Sequence, residues 1–506
     1  MTALRVAPAT VAAHDWGWRH AGRLRWAIAG LDLRIEPGER VLVVGPSGSG
    51  KSTFLHALAG VHGGDEEGES AGRLLIDEHD SRDARGRVGL LLQDPDSQVV
   101  LARVGDDVAF ACENLGVPRD EIWPRVRRAL DAVGLDVPLD HPTGRLSGGQ
   151  KQRLALAGTL AMQPGLLLLD EPTANLDPAG VAEVRDAVRR VLDETGSTFV
   201  VVEHRVDVWV DLVGRVLVFG RDGRLIADGE PAAVLERHRD ELLAAGVWVP
   251  GVPLPVPAAT PVAPGTAVEL AAHGLAIGRT RGRVLRRGID AGLPSGRSTV
   301  LTGPNGAGKS TLALTLGGLL PALDGRVEAS ESLAAGLGRD PIAWRSKQLL
   351  TRIGTVFQEP EHQFVARTVR EETAVAAGAL GLEHAEARRR VDEVLDRLHL
   401  DRLADANPFT LSGGEQRRLT VASVLVARPR VVILDEPTFG QDRLTWIELV
   451  TILRELVAEG VTLLSVTHDR AYVEALGDHL LTLAAAPAGA GRDGGADGSG
   501  TAGVAA

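Results

Sequence analysis

One octapeptide pattern, present twice, constrains this chain more than anything else in it. Gly45-Pro46-Ser47-Gly48-Ser49-Gly50-Lys51-Ser52 follows the apolar run Arg40–Val44 and opens into Thr53-Phe54-Leu55-His56-Ala57-Leu58. Gly303-Pro304-Asn305-Gly306-Ala307-Gly308-Lys309-Ser310 repeats it after residues 299–302 and runs on into Thr311. A strand, a glycine-rich turn and a helix in that order form a phosphate cradle. The glycines let successive backbone N–H groups turn inward, and the helix N-terminus adds the positive end of its dipole. Lys51 and Lys309 supply a compact ammonium for the β and γ phosphates, and the hydroxyls of Ser52 and Ser310 suit Mg²⁺.

Lysine usage reinforces this. Only four of the 55 basic residues are lysine, and two of those are Lys51 and Lys309. A planar guanidinium does not fit between phosphates as an ammonium does. The net charge of −12 gives no general attraction to nucleic acid or anionic lipid. The single Cys112 excludes an intrachain disulfide and a cysteine-rich zinc site, and its apolar surroundings suit a small buried side chain in a reducing compartment. Residues 1–10 hold no apolar core of signal-peptide length, and no run approaches 18 apolar residues. A membrane role is therefore expected only through a partner.

The halves repeat one another. Lys51 and Lys309 are 258 residues apart, whereas Ser147 to Ser412 and Asp170 to Asp435 are each 265 apart. A period this long is a duplicated domain. The expected division is a first domain over 1–248, a proline-rich linker over 249–266, a second domain over 267–484 and a disordered Ala/Gly-rich tail over 485–506. Six prolines between 250 and 264 rule out helix or central strand there. Within each copy short apolar strands alternate with helical patterns, as a parallel sheet between helices requires. Strands are expected at 166–169, Thr198–Val202 and Arg215–Phe219, then at 431–434 and Thr462–Val466. Residues 105–160 and 368–427 read as mainly helical lobes.

Two further constellations keep step with the cradles. Leu166-Leu167-Leu168-Leu169 ends in Asp170-Glu171, and Val431-Val432-Ile433-Leu434 ends in Asp435-Glu436. The first carboxylate of each pair suits Mg²⁺ and the second can polarise an attacking water. Leu146-Ser147-Gly148-Gly149-Gln150 and Leu411-Ser412-Gly413-Gly414-Glu415 each lie 23 residues, serine to aspartate, ahead of those carboxylates. Taken together these motifs resemble the ATP-binding cassette (ABC) ATPases, and the resemblance covers nearly everything outside the linker and tail. It implies an α/β fold with two P-loop NTPase domains, each with a parallel-sheet core, an antiparallel β subdomain and a helical signature lobe. It also implies ATP hydrolysis with Mg²⁺ at two sites.

By the same resemblance the cassettes pair head to tail, here within one chain. Ser147, Gly148 and Gly149 would then face the Lys309 site, and Ser412, Gly413 and Gly414 the Lys51 site. Gln93 and Gln358, each 54 residues ahead of its signature serine, match the Q-loop that touches the metal and senses a membrane partner. His204 and His468 match the switch histidine, and Asp177 and Asp442 the D-loop. Trp18 stands where an aromatic ring stacks on adenine, with Trp16 as the alternative and plain core packing as the competing reading. The second copy offers no ring there, only Gly274-Leu275-Ala276-Ile277-Gly278-Arg279.

A narrower resemblance follows from Asp94-Pro95-Asp96-Ser97-Gln98, Glu359-Pro360-Glu361-His362-Gln363, Ala161-Met162-Gln163-Pro164 and Val202-Glu203-His204-Arg205. These are similar to the energy-coupling factor (ECF) transporter ATPases. That subfamily implies a peripheral protein on the cytoplasmic face of the cell membrane, docked under an integral coupling subunit. A substrate-binding membrane subunit there captures a vitamin, a precursor or a metal ion. No nucleic acid partner is expected. The alternatives are a tandem sugar-importer ATPase and a ribosome-associated tandem translation factor. The latter calls for a long charged helical linker and a basic surface, which this sequence lacks.

Overall fold

The computed structural model describes residues 6–46, 48–62, 67–84, 86–94, 97–173, 176, 178–279, 284–358 and 363–484. Ser47, Asp96, Asp177, Glu359, Glu361 and the tail expected from 485 lie outside the described residues. The chain forms two compact units. The first joins Met1–Pro255 with Ser412–Gly414 and Phe439–Glu448, and the second holds Val256–Leu411, Glu415–Thr438 and Leu449–Ala506.

In the first unit a six-stranded sheet runs in the order Leu225–Gly229, Arg215–Phe219, Arg40–Val44, Thr198–Val202, Leu166–Asp170, Val88–Leu91. All neighbours are parallel except the antiparallel edge strand Leu225–Gly229. The inner strands read as unbroken apolar runs because both faces are covered. Successive side chains alternate between two cores. Leu42, Val44, Leu167, Leu169 and Val201 pack against the helices Val104–Asn114, Arg119–Val133 and Gly148–Ala161 and their neighbours. Val41, Val43, Leu166, Leu168, Val200 and Val202 pack against an antiparallel sheet built from Val11–His20, Ile28–Ile35, Gly68–Ile76 and His79–Asp80.

The segment after the last helices of this unit is anchored rather than free. Trp248 Nε1 donates to Gln441 O at 3.0 Å, Arg443 N donates to Gly246 O at 2.8 Å, and Trp248 meets Trp446 edge-on at 5.6 Å.

The second unit repeats the plan with fewer strands. Its parallel sheet runs Ile353–Val356, Val431–Asp435, Thr462–Val466, Ser298–Thr302, His479–Thr482. Arg286–Pro294, Val268–Ile277 and Asp324–Ala329 form its antiparallel sheet. The proline-rich stretch is extended, without helix or strand, but it is not a free spacer. Ala259 N donates to Glu474 O at 2.9 Å and Thr260 N to Asp478 Oδ1 at 2.7 Å, which docks its later half onto the second unit. Among the described residues no helix is long and apolar enough to cross a membrane.

Candidate functional sites

In the first unit the strand Arg40–Val44 delivers the chain into a turn that only glycine can make. A Cβ on Gly45 would lie 2.5 Å from Phe219 O, and one on Gly50, at φ 88°, would lie 2.3 Å from Ala27 O. Gly50 then caps the helix Lys51–Leu58. Lys51 is buried, and its Nζ donates to Gly45 O and Pro46 O, each at 2.9 Å. Burial lowers its pKa, while the carboxylates of Glu171 and Asp170 oppose that shift.

The strand Leu166–Asp170 ends beside this loop. Ser52 Oγ donates to Asp170 Oδ1 at 3.2 Å, which pairs a hydroxyl and a carboxylate as a hard divalent cation requires. Asp170 is pushed up to about 6, first by burial and then by the neighbouring Glu171. Among the described residues no cluster of three or more His, Cys, Asp or Glu side chains is arranged to hold a metal. An ion here would take Ser52, Asp170 and non-protein oxygens, a donor set that fits Mg²⁺ and its retained waters. Glu171 adopts a positive φ of 45° just past the strand. Its Oε2 accepts from Gln93 Nε2 at 2.9 Å and its Oε1 lies 2.9 Å from His204 Nε2. Burial would raise its pKa, but the charge and hydrogen bond of His204 and the charge of Lys51 bring the net shift below the ordinary value.

Glu203 also joins this group, although the sequence reading assigned it no role at the site. It is buried, accepting from Thr173 Oγ1 at 2.7 Å, His204 N at 3.2 Å and Trp209 Nε1 at 3.4 Å. Burial and the nearby Glu171 raise its pKa. Its place immediately before His204 was the one available signal.

Trp18, expected to stack on adenine, is covered in this structure. Its ring is 3% exposed, lies in the core of the antiparallel sheet, and is covered by His62, stacked at 5.2 Å and 14°. Its Nε1 donates to His20 Nδ1 at 3.3 Å, and His20 Nε2 sits 3.0 Å from Thr53 Oγ1. Trp16 is equally buried and packs on Phe54 at 6.2 Å. Neither ring offers an open face, because the strand Val11–His20 is inserted between two partners and turns both inward. Ser147 caps the helix Gly148–Ala161: Ser147 N donates to Gln150 Oε1 at 2.9 Å and Gln150 N to Ser147 Oγ at 3.3 Å.

The second unit brings together the matching residues in a different arrangement. Lys309 Nζ donates to Gly303 O at 2.8 Å and Pro304 O at 3.1 Å, and lies 2.7 Å from His468 Nε2. His468 Nε2 is also 3.1 Å from Asn305 Oδ1 but 3.9 Å from Glu436. Glu436, again at positive φ, accepts from Thr467 Oγ1 at 3.0 Å, where the first copy has Glu203. Burial, the largest cause, pushes Glu436 up to about 7. Asp435 is raised by burial, with Ser310 and Lys309 opposing. Gly306 and Gly308 take positive φ as Gly48 and Gly50 do. In the stretch Phe439–Glu448, which belongs to the first unit, Asp442 Oδ1 accepts from Leu444 N and Thr445 N, each at 3.0 Å, and so starts the helix Arg443–Ala458.

Comparison with known proteins agrees with this geometry. Residues 28–174 and 287–439 each match the ABC transporter family. The putative HMP/thiamine import ATP-binding protein YkoD of Bacillus subtilis is 33% identical, with 90% of this chain and 86% of that protein covered. A putative ABC transporter ATP-binding protein of Methanosarcina acetivorans is 32% identical over 88% of this chain and 79% of its own length. Among solved structures, the archaeal ribosome recycling factor aABCE1 in complex with the stalk protein aP1 covers 92% of this chain and 87% of its own, at TM-score 0.59 and 21% identity. At that identity the likeness is one of fold alone.

Proposed function

This chain belongs to the ABC transporter family, as a two-cassette ATPase subunit, and on that premise we propose that it drives an ECF-type importer of a vitamin, a vitamin precursor or a metal ion. The observation that carries import is the 33% identity, over 90% of this chain, to the putative HMP/thiamine import ATP-binding protein YkoD of Bacillus subtilis. The acidic residue Asp94 after Gln93 supports docking to a basic membrane subunit.

ATP is the substrate at both sites. At the first, the loop N–H groups and Lys51 hold the β and γ phosphates, and Gln93 and His204 orient Glu171. Glu171 takes a proton from water as the water oxygen bonds the γ-phosphorus. The bond from that phosphorus to the β–γ bridging oxygen then breaks, leaving ADP and phosphate. Mg²⁺, held through Ser52 and Asp170, would supply charge to the phosphate oxygens. Glu436, Lys309, Ser310 and Asp435 take the same parts at the second site.

Affinity purification of the tagged chain from membranes, with identification of what accompanies it, tests the function. Integral membrane subunits should co-purify, and recovery with ribosomes and no membrane protein would overturn the reading.

A further inference from the structure

The two copies hold the turn ahead of their Q-loop glutamines in different ways. In the first, Gln98 closes the turn on itself. Leu92 N donates to Gln98 Oε1 at 2.9 Å, and Gln98 Nε2 donates to Leu90 O at 3.0 Å. Gln363 stands at the same place in the second copy, five residues after Gln358 as Gln98 is after Gln93. Its Nε2 is buried and has no hydrogen-bond partner among the described residues.

The second turn is held from elsewhere. Arg417, on the helix Gly413–Leu425 that follows the signature, is 4% exposed and donates from Nη1 to Phe357 O at 3.0 Å. Phe357 immediately precedes Gln358. The matching helix position in the first copy is Gln152, wholly buried, with neither amide atom hydrogen-bonded among the described residues. Leu92 and Phe357, Gln98 and Gln363, and Gln152 and Arg417 all keep the 265-residue offset, so the comparison is position for position. Burial pushes Arg417 down to about 10, opposed by the charges of Glu436 and Asp435, and it remains a cation at neutral pH. A buried guanidinium is stable only when its charge is matched and its donors are used. Here the match is the carboxylate pair of the hydrolytic site and the acceptor is the Q-loop backbone.

We propose that Arg417 is a positioning residue of the second site, bracing the Q-loop backbone beside Gln358 from the signature helix. One buried charged side chain thereby ties the signature helix to the Q-loop backbone. Movement of the helical lobe is passed to Gln358 directly, a route that the self-closed first turn lacks. This inference rests on reading the Lys309 site as one that hydrolyses ATP.

The test uses the full chain carrying Lys51→Ala, so that turnover reports the Lys309 site, with Arg417→Gln and Arg417→Lys added. Backbone hydrogen exchange is followed across Ile353–Gln358 and, as a reference, across Val431–Asp435, beside kcat and KM for ATP. Arg417→Gln should raise exchange over Ile353–Gln358 on the order of tenfold, the scale of a lost charge-assisted hydrogen bond. Val431–Asp435 should be unchanged, kcat should fall by a similar factor and KM should stay within about twofold. Arg417→Lys should recover part of both effects. Unchanged exchange in Ile353–Gln358, or an equal rise in Val431–Asp435, would overturn the proposal. Should the Lys51→Ala parent hydrolyse nothing, the hydrolytic reading of the second site fails, and exchange still decides the role of Arg417.

Discussion

The two sites should differ in how their turnover depends on pH. Glu436, pushed up to about 7, is a base only once it loses its proton. Glu171, brought below the ordinary carboxylate value by His204 and Lys51, is ionised across the neutral range. For Glu436 the ionised fraction climbs from about one quarter near pH 6.5 to almost all near pH 8.5, a gain of about fourfold. Asp435, also raised, acts in the same direction. At the first site Asp170, pushed up to about 6, is already mostly ionised at the lower end of this window. Its ionisation over the same window adds only about 1.3-fold. The assay is kcat/KM for ATP against pH, which reports groups of the free enzyme. It is measured on Lys309→Ala for the first site and Lys51→Ala for the second. Protonation of the nucleotide is common to both and cancels in their ratio. The ratio of second-site to first-site kcat/KM should rise about threefold from about pH 6.5 to about pH 8.5. A ratio that stays constant, or falls, would refute the argument that burial, with a longer contact to its histidine than Glu171 has, leaves Glu436 less ionised.

Two other perturbations follow from burial. The folded-state pKa of Glu203 lies above its unfolded value, so ionisation of this group opposes folding above the unfolded pKa, and the opposition is relieved as pH falls. Glu203→Gln, which keeps acceptors for Thr173 and Trp209, should raise the Tm near pH 8 and lose that advantage near pH 5. Glu203→Ala strands three donors and should cost about 2–4 kcal/mol by denaturant titration. Trp18→Ala should cost about 3–5 kcal/mol of stability by the same titration, as for other buried aromatic truncations. If Trp18→Phe restores stability with normal ATP affinity, the ring serves the core. A five- to tenfold or larger loss of affinity in a stably folded Trp18→Phe would return the ring to adenine.

The relation between sequence and structure is uneven, and the unevenness has a physical cause. The phosphate loops, the strands that carry Asp170 and Asp435, the helix at Ser147 and the duplication were all legible, with strand ends within a residue. Each is set within a short stretch: an apolar run both of whose faces are covered, a glycine forced by a nearby carbonyl, a serine that caps the helix it precedes. The burial of Trp18 was not legible because its surroundings come from elsewhere in the chain. His62 lies beyond the loop and helix, and Gly68–Ile76 pairs with the same strand. The proline-rich stretch was rightly denied helix and strand, yet its docking on Glu474 and Asp478 depends on residues more than two hundred positions later.

The sequence by itself determined the fold class, the two phosphate cradles and the family, because those depend on backbone conformation and spacing along contiguous segments. The tertiary structure alone decided which groups bias each site. Glu203 meets Glu171 and Trp209 only when separate strands and helices converge, and Arg417 meets Phe357 only when the signature helix packs beside the Q-loop. Ionisation and hydrogen bonding are set by every charge and dipole within a few ångströms, whatever its place in the chain. Two copies with nearly the same motifs therefore hold Glu171 and Glu436 in different states, one tied to its histidine and the other pushed towards neutrality.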